Sequence, residues 1–422
     1  MNLLKFVALL LMLQDSVNAT KSLVMAHLVH RHGARSPIHF FPNNQYVNQW
    51  PVNPGMLTKI GMNMTYRLGE FLKKRYIVES GFINESYVQK EIYIRSSDES
   101  RCLQSVETEL AGLFPPIGYQ VWNKNINWQP IPIHSVPFDN DPVLRPHETN
   151  CPRLKEILHQ LTLKPEYIKK EHDNQNFLKD LSNYTGMKVD FTNIWKVDDV
   201  FECEAAQGFS PPKWYKDIEM QLLDICSWVF LYQYKNADDE LGRLLGGTLL
   251  DWINTNMRNF KTKRSYDEVY KISIFSGHDK SILALAATLD LEITVPTFAS
   301  CFMIEMYEDN NGNFLVEMHF RNDTSGNTFL FKLKDCDISC PLEQFLRLTS
   351  RRTTTKQDCF PHEKFFLTQP QLKIGFFVFM ILTLLLMVTL MVIIIRRRKV
   401  LNRLKFYNSS LKNSELGQLL AE

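Results

Sequence analysis

The chain has 422 residues, with 48 Lys+Arg against 46 Asp+Glu and a formal net charge of +2. That balance excludes the strongly basic surface through which proteins hold nucleic acid. About 350 residues lie between two apolar segments, enough for a large core shared by two lobes.

In chain order, residues 1–19 hold a single lysine, the apolar run LLKFVALLLML and the small-residue ending Val17-Asn18-Ala19. This is the pattern of a secretory signal peptide cleaved after Ala19, and it places residues 20–373 outside the cytosol. That region contains all eleven histidines and all eight cysteines. With Lys5 and the basic tail set aside it is slightly acidic at neutral pH, a sign that exposed histidines would reverse at pH 5. Its cysteines fit an oxidising compartment. Glycosylation sequons occur in it at Asn63, Asn84, Asn183 and Asn322, and a further one at Asn408 lies in the tail.

The segment SLVMAHLVH from Ser22 is a nearly continuous apolar run, read as a strand covered on both faces. Residues 58–74, TKIGMNMTYRLGEFLKK, then show helical spacing. EIYIRSSDESRCLQSVETELAGLF repeats the pattern, with a strand over 92–95 and a helix ending before Pro115-Pro116. From 125 to 265 the texture changes to a Pro-rich passage, WQPIPIHSVPFDNDPVLRP, followed by amphipathic stretches without clear strands. The expectation is a mainly helical lobe inserted into an α/β lobe (20–124 and 266–345) and roofing its crevice. VYKISIFSGHDKSILALAATLDL is the third copy, with a strand over 271–275 and a helix from about Lys280. In all three copies cations or histidines fall at the strand's C-terminal end, where open α/β sheets bind ligands.

Residues 374–395 carry no charge and are long enough to cross a hydrocarbon core of roughly 30 Å as one transmembrane helix. Arg396-Arg397-Arg398-Lys399 follow at once, which marks the cytosolic side and predicts a type I topology with a short tail over 396–422. In that tail Glu415 stands four residues before Leu419-Leu420, resembling the dileucine signals read by clathrin adaptors.

Gathering Arg31, Arg35 and Arg95 at strand ends is costly unless an anion occupies the crevice, because like charges in a partly buried site repel. A dianionic phosphoryl group suits the planar donor fork of arginine. His32 and His278 stand beside them, and an imidazole can attack phosphorus to give a phosphohistidine. Asp279 can supply the proton that the departing alkoxide needs. The constellation reads as hydrolysis of phosphate monoesters without metal or other cofactor, since neither a P-loop nor a dense carboxylate cluster occurs. Cys336 and Cys340 are close enough for a local loop, whereas spacing leaves the partners of the other six cysteines open. A zinc site at Cys336 and Cys340 lacks a second pair at ligand spacing.

RHGARSP at 31–37 together with GHD at 277–279 resembles the histidine acid phosphatases, a branch of the histidine phosphatase superfamily. LTKIGMNMTYRLGEFLKKRY, IYIRSSDESRCLQSVETELAGLFPP, PIPIHSVP and FECEAAQG extend the resemblance over about 22–345, toward the lysosomal and prostatic type. The resemblance implies a phosphoglycerate-mutase-like α/β fold, a central mixed sheet with flanking helices and an inserted helical lobe. It makes His32 the nucleophile, Asp279 the proton donor, and Arg31, Arg35, Arg95 and His278 the phosphoryl-binding set. It implies disulfides Cys151–Cys359, Cys203–Cys301 and Cys336–Cys340, leaving Cys102 and Cys226 as small buried hydrophobes. Cys102 and Ala34 depart from the threonine and aspartate common among close relatives, which loosens any inference about substrate. Expected partners are small phosphomonoesters or phosphopeptides, with a homodimer and a clathrin adaptor as candidates. The expected site of action is the lysosomal or late-endosomal membrane, with the plasma membrane or a secreted, clipped form as the alternative. Competing functions are a more specialised phosphatase (inositol phosphate, nucleotide or lysophosphatidate) and a non-catalytic binding relative. His27, His30 and His39 read as structural, His134 as a candidate crevice residue and Trp128 as core.

Overall fold

The run from Ser22 forms the centre of a twisted mixed sheet. A computed structural model describes residues 21–322, 327–354, 356–360 and 370–419. The expected signal peptide at 1–19 and Leu420 of the expected sorting signal lie outside them. The elements are β1 (Ser22–Arg31), α1 (Lys59–Lys73), β2 (Ile92–Ser96) and α2 (Ser100–Leu113). Six helices follow: α3 (Pro152–Thr162), α4 (Pro165–Asp173), α5 (Gln175–Thr185), α6 (Trp195–Gln207), α7 (Lys213–Lys235) and α8 (Asp239–Lys263). Then come β3 (Ile272–Gly277), α9 (Asp279–Thr288), β4 (Cys301–Glu308), β5 (Phe314–Arg321), β6 (Phe329–Phe331), β7 (Cys340–Pro341) and α10 (Leu342–Thr349).

The strand order is β2-β3-β1-β4-β5-β6, with β7 beside β5. β2, β3 and β1 run parallel, and β4 is antiparallel to β1. Alternation along the strands sorts the core into two faces. Ala26, Leu28, Ile92, Ile94, Ile272 and Ile274 pack against α1 and α2. Met25, Val29 and Phe275 join the larger cluster that holds α8, α9 and the helices before them. Thr58 caps α1, its Oγ1 accepting from the Gly61 N–H at 3.2 Å. α8 lies on α9, where a Cβ at Gly246 would fall 2.6 Å from the Ala284 carbonyl oxygen. α8 is the last helix of the expected lobe, and this close approach packs it on the helix that follows β3.

Residues up to Cys359 form one unit and Phe360–Glu422 a second. In the second, α11 (Pro370–Leu419) contains Ile374–Ser410, long and apolar enough by length and composition to cross a membrane. The helix does not stop at the basic run. Residues 396–416 contain neither Gly nor Pro, so nothing there breaks it.

Two expected disulfides are formed, Cys151–Cys359 and Cys336–Cys340. The expected Cys203–Cys301 bond is not: both are free thiols, as are Cys102 and Cys226. Cys203 packs with Ala34 and Phe298, while Cys301 opens β4 and packs with the α1–α2 face of the sheet. Trp128, expected in the core, is exposed.

Candidate active site

The parallel register builds the site. Arg31 stands opposite Gly277 on β3, and Ser96 of β2 opposite Ser276. The next residues, His32, Ser97 and His278, therefore leave the sheet along one edge. The His32 N–H donates to the Gly277 carbonyl at 3.1 Å, and the two histidine rings have centroids 5.6 Å apart. Gly33 is required here, since a Cβ on it would lie 2.2 Å from the Gly61 carbonyl oxygen.

His32 is held as a nucleophile. Its Nδ1 lies 2.9 Å from the Gly33 carbonyl, which can only accept, so Nδ1 carries the proton and Nε2 keeps its lone pair. Burial, then the positive charges of Arg101, Arg35 and Arg31, hold its pKa well below the ordinary imidazole range.

Arg31 and Arg35 are buried and anchored by carboxylates one turn apart on α6. Glu202 receives Arg31 through both oxygens at 2.7 and 3.0 Å, and Asp199 receives Arg35 at 2.6 Å. Burial opposes the Arg31 charge, but Glu202 and Asp279 outweigh it and raise its pKa. The spacing Asp199-x-x-Glu202 was legible as one helix face, but nothing local tied it to the arginines. Cys203 Sγ lies 3.3 Å from Arg35 Nη1.

Asp279 opens α9, with Oδ2 3.4 Å from Arg31 Nη2 and Oδ1 accepting the Lys280 N–H at 2.6 Å. His278 caps the same helix. Its Nε2 is 3.1 Å from both Ser97 Oγ and Arg145 Nη1. A guanidinium only donates, so Nε2 accepts and the proton sits on Nδ1. Burial, then Arg101 and Arg145, push the His278 pKa well down. Burial and neighbouring Glu202 and Asp199 push Asp198 up to about 7.

Arg95 departs from expectation. Side chains alternate along β2, so Ile92 and Ile94 enter the core while Tyr93 and Arg95 face the Pro-rich passage. There Arg95 pairs with buried Asp141 at 2.5 Å. Arg101, on the first turn of α2, is the charge that after burial does most to lower the pKa of both His32 and His278. Its own charge is disfavoured by burial first, with Arg35 and Arg145 adding to this and Cys102 and Glu99 opposing it only in part. Arg145, from the Pro-rich passage, is the other missed residue. The run of helix-start polar residues in SSDESR carried a signal for Arg101, and the roofing position of VLRP one for Arg145. His134 stacks on Tyr93 beside β2, at 5.3 Å, and His39 is exposed near Trp195.

A neutral imidazole aimed among guanidiniums, with a carboxyl group at the head of the neighbouring helix, defines a histidine-dependent phosphatase site. Residues 22–321 match the family model of the histidine phosphatase superfamily, branch 2, and the chain belongs to that family. It is 39% identical over 337 residues to the lysosomal acid phosphatase of Homo sapiens, covering 78% of each chain. It is 38% identical over 352 residues to the prostatic acid phosphatase of Mus musculus, covering 82% of this chain and 90% of the relative. Among solved structures, the phytase from Citrobacter braakii superposes with a TM-score of 0.63 at 19% identity, over 80% of this chain and 99% of that one. That last likeness bears on the fold alone.

Proposed function

We propose that this histidine phosphatase is an acid phosphatase that hydrolyses phosphate monoesters through a phosphohistidine on His32. The observation that supports the reading is the His32 tautomer: Nδ1–H is tied to the Gly33 carbonyl, and Nε2 has no hydrogen-bond partner among the described residues, in the field of Arg101, Arg35 and Arg31. The phosphoryl group would be bound by Arg31, Arg35 and Arg101, the last in place of Arg95, with His278 donating through Nδ1. Nε2 of His32 then forms the P–N bond as the P–O bond to the alcohol breaks, and Asp279 gives the alkoxide its proton. Water next attacks phosphorus, Asp279 takes a proton from it, and phosphate leaves as His32 is regenerated.

The proposal extends to setting. Residues 374–395, within the apolar helix Ile374–Ser410, would anchor the enzyme as a type I protein with its site on the lumenal side, in lysosomes or late endosomes. Glu415, Leu419 and Leu420 would engage a clathrin adaptor. Exposed Asn63, Asn84 and Asn183 suit glycans, whereas Asn322 already donates its amide to Thr294 Oγ1 at 3.1 Å. A panel of phosphomonoesters assayed at pH 4–6 in EDTA tests the activity. Turnover is expected throughout; a requirement for added metal would contradict it.

A further inference from the structure

Beside the phosphoryl pocket a single carboxylate ties two arginines together. Glu99 precedes α2, and its Oε2 receives Arg101 Nη1 at 3.0 Å while its Oε1 receives Arg145 Nη1 at 3.2 Å. The two guanidiniums come from separate parts of the chain, α2 and the Pro-rich passage. Both are largely buried, with side chains 12% and 7% exposed, and the Nε–H of each lacks a partner among the described residues. The Glu99 side chain is more open, at 23%.

Arg145 also reaches into the catalytic set, 3.1 Å from His278 Nε2. Its guanidinium lies 3.5 Å over the half-exposed ring of Phe138, and Glu148 is 3.7 Å from its Nη2. One carboxylate shared by two arginines, one oxygen to each, is the arrangement in which such a pair takes an external oxyanion. Glu99 is tethered at the chain's own edge of the crevice and is open enough to swing aside.

We infer that Arg145, together with the Nη1 edge of Arg101 that Glu99 holds, forms a second anion subsite next to the catalytic phosphoryl pocket, occupied in the free enzyme by Glu99, while the rest of the Arg101 guanidinium serves the phosphoryl group. The ligand is a phosphomonoester bearing a second oxyanion, carboxylate or phosphate, close to the ester. The inference rests on the acid phosphatase reading and adds its substrate preference. Arg145 is then a binding residue from the roof of the crevice, and Glu99 a built-in competitor that substrates with one anion cannot replace.

The test compares kcat/KM for glycerol 2-phosphate with that for 2-phosphoglycerate and for glycerol 1,2-bisphosphate, one arm for each kind of second anion. The wild-type enzyme should prefer at least one of the latter two. Arg145→Gln should lower that preference about 10–100-fold, the worth of one hydrogen bond between charged groups. Glu99→Gln should raise it, chiefly through KM. The ratio of substrates is the readout, so a general loss of rate from disturbing His278 does not imitate the effect. Thermal unfolding of Glu99→Gln checks that the fold is kept. A preference unmoved by both substitutions, or absent in the wild type, would overturn the subsite. Failure of wild type to hydrolyse glycerol 2-phosphate would instead overturn the acid phosphatase reading.

Discussion

Arg95 and Arg101 lie six residues apart and divide two tasks. Arg95 neutralises Asp141, which is fully buried and also accepts the Val143 and Leu144 backbone N–H groups at 3.1 Å. Arg95→Ala should cost about 3–5 kcal/mol of stability, the penalty for a buried charge left without its partner, while the folded fraction keeps its turnover. Arg101→Ala should instead lower kcat/KM by roughly 10²–10³-fold, the usual loss for one donor to a developing oxyanion, with a smaller change in melting. Initial rates and thermal unfolding on both variants decide this, and an exchange of the two outcomes would return Arg95 to the phosphate. His32, His278, Asp279, Arg31 and Arg35 were legible because each lies within a contiguous motif at a strand end. Arg101 and Arg145 were not, because one reaches the site from a helix start and the other from a loop that only folding brings above it.

At the scale of elements, β1 was readable from its apolar run, and the register of β2, β3 and β1 explains why three sequence copies converge on one edge. The same strand carries an oddity. His27 is buried between its register partners Ser273 and Ile304, with neither ring nitrogen partnered among the described residues. Burial holds its pKa at about 3 against an ordinary 6.5. The unfolded chain therefore binds a proton that the folded chain refuses, and folding loses stability as pH falls from about 6.5 toward 3. His27→Leu should raise the melting temperature, and more at pH 4.5 than at pH 7. An equal gain at both values would show that packing rather than protonation sets the effect. The cysteines were less legible: Cys151–Cys359 and Cys336–Cys340 agree with the family resemblance, but Cys203 and Cys301 are free and pack in different clusters, which spacing could not reveal.

At the scale of the molecule, the unit Met1–Cys359 holds every residue assigned to chemistry, and the unit Phe360–Glu422 supplies the apolar helix. Full-length protein should stay with membranes through alkaline carbonate extraction, and a chain ended after Phe360 should be released with kcat within about twofold, since no site residue is removed. Leu419→Ala with Leu420→Ala should raise the fraction labelled by surface biotinylation. Extraction of the full-length chain, or an unmoved surface fraction, would count against the anchor or the sorting signal respectively. The central claim is the covalent step, and one measurement reaches it directly: rapid quenching of the wild-type enzyme with a phosphoryl-labelled monoester, followed by peptide mapping. Acid-labile, base-stable label on His32, absent in His32→Ala, is the predicted result. Label on a serine or cysteine, or turnover that survives in His32→Ala, would contradict it.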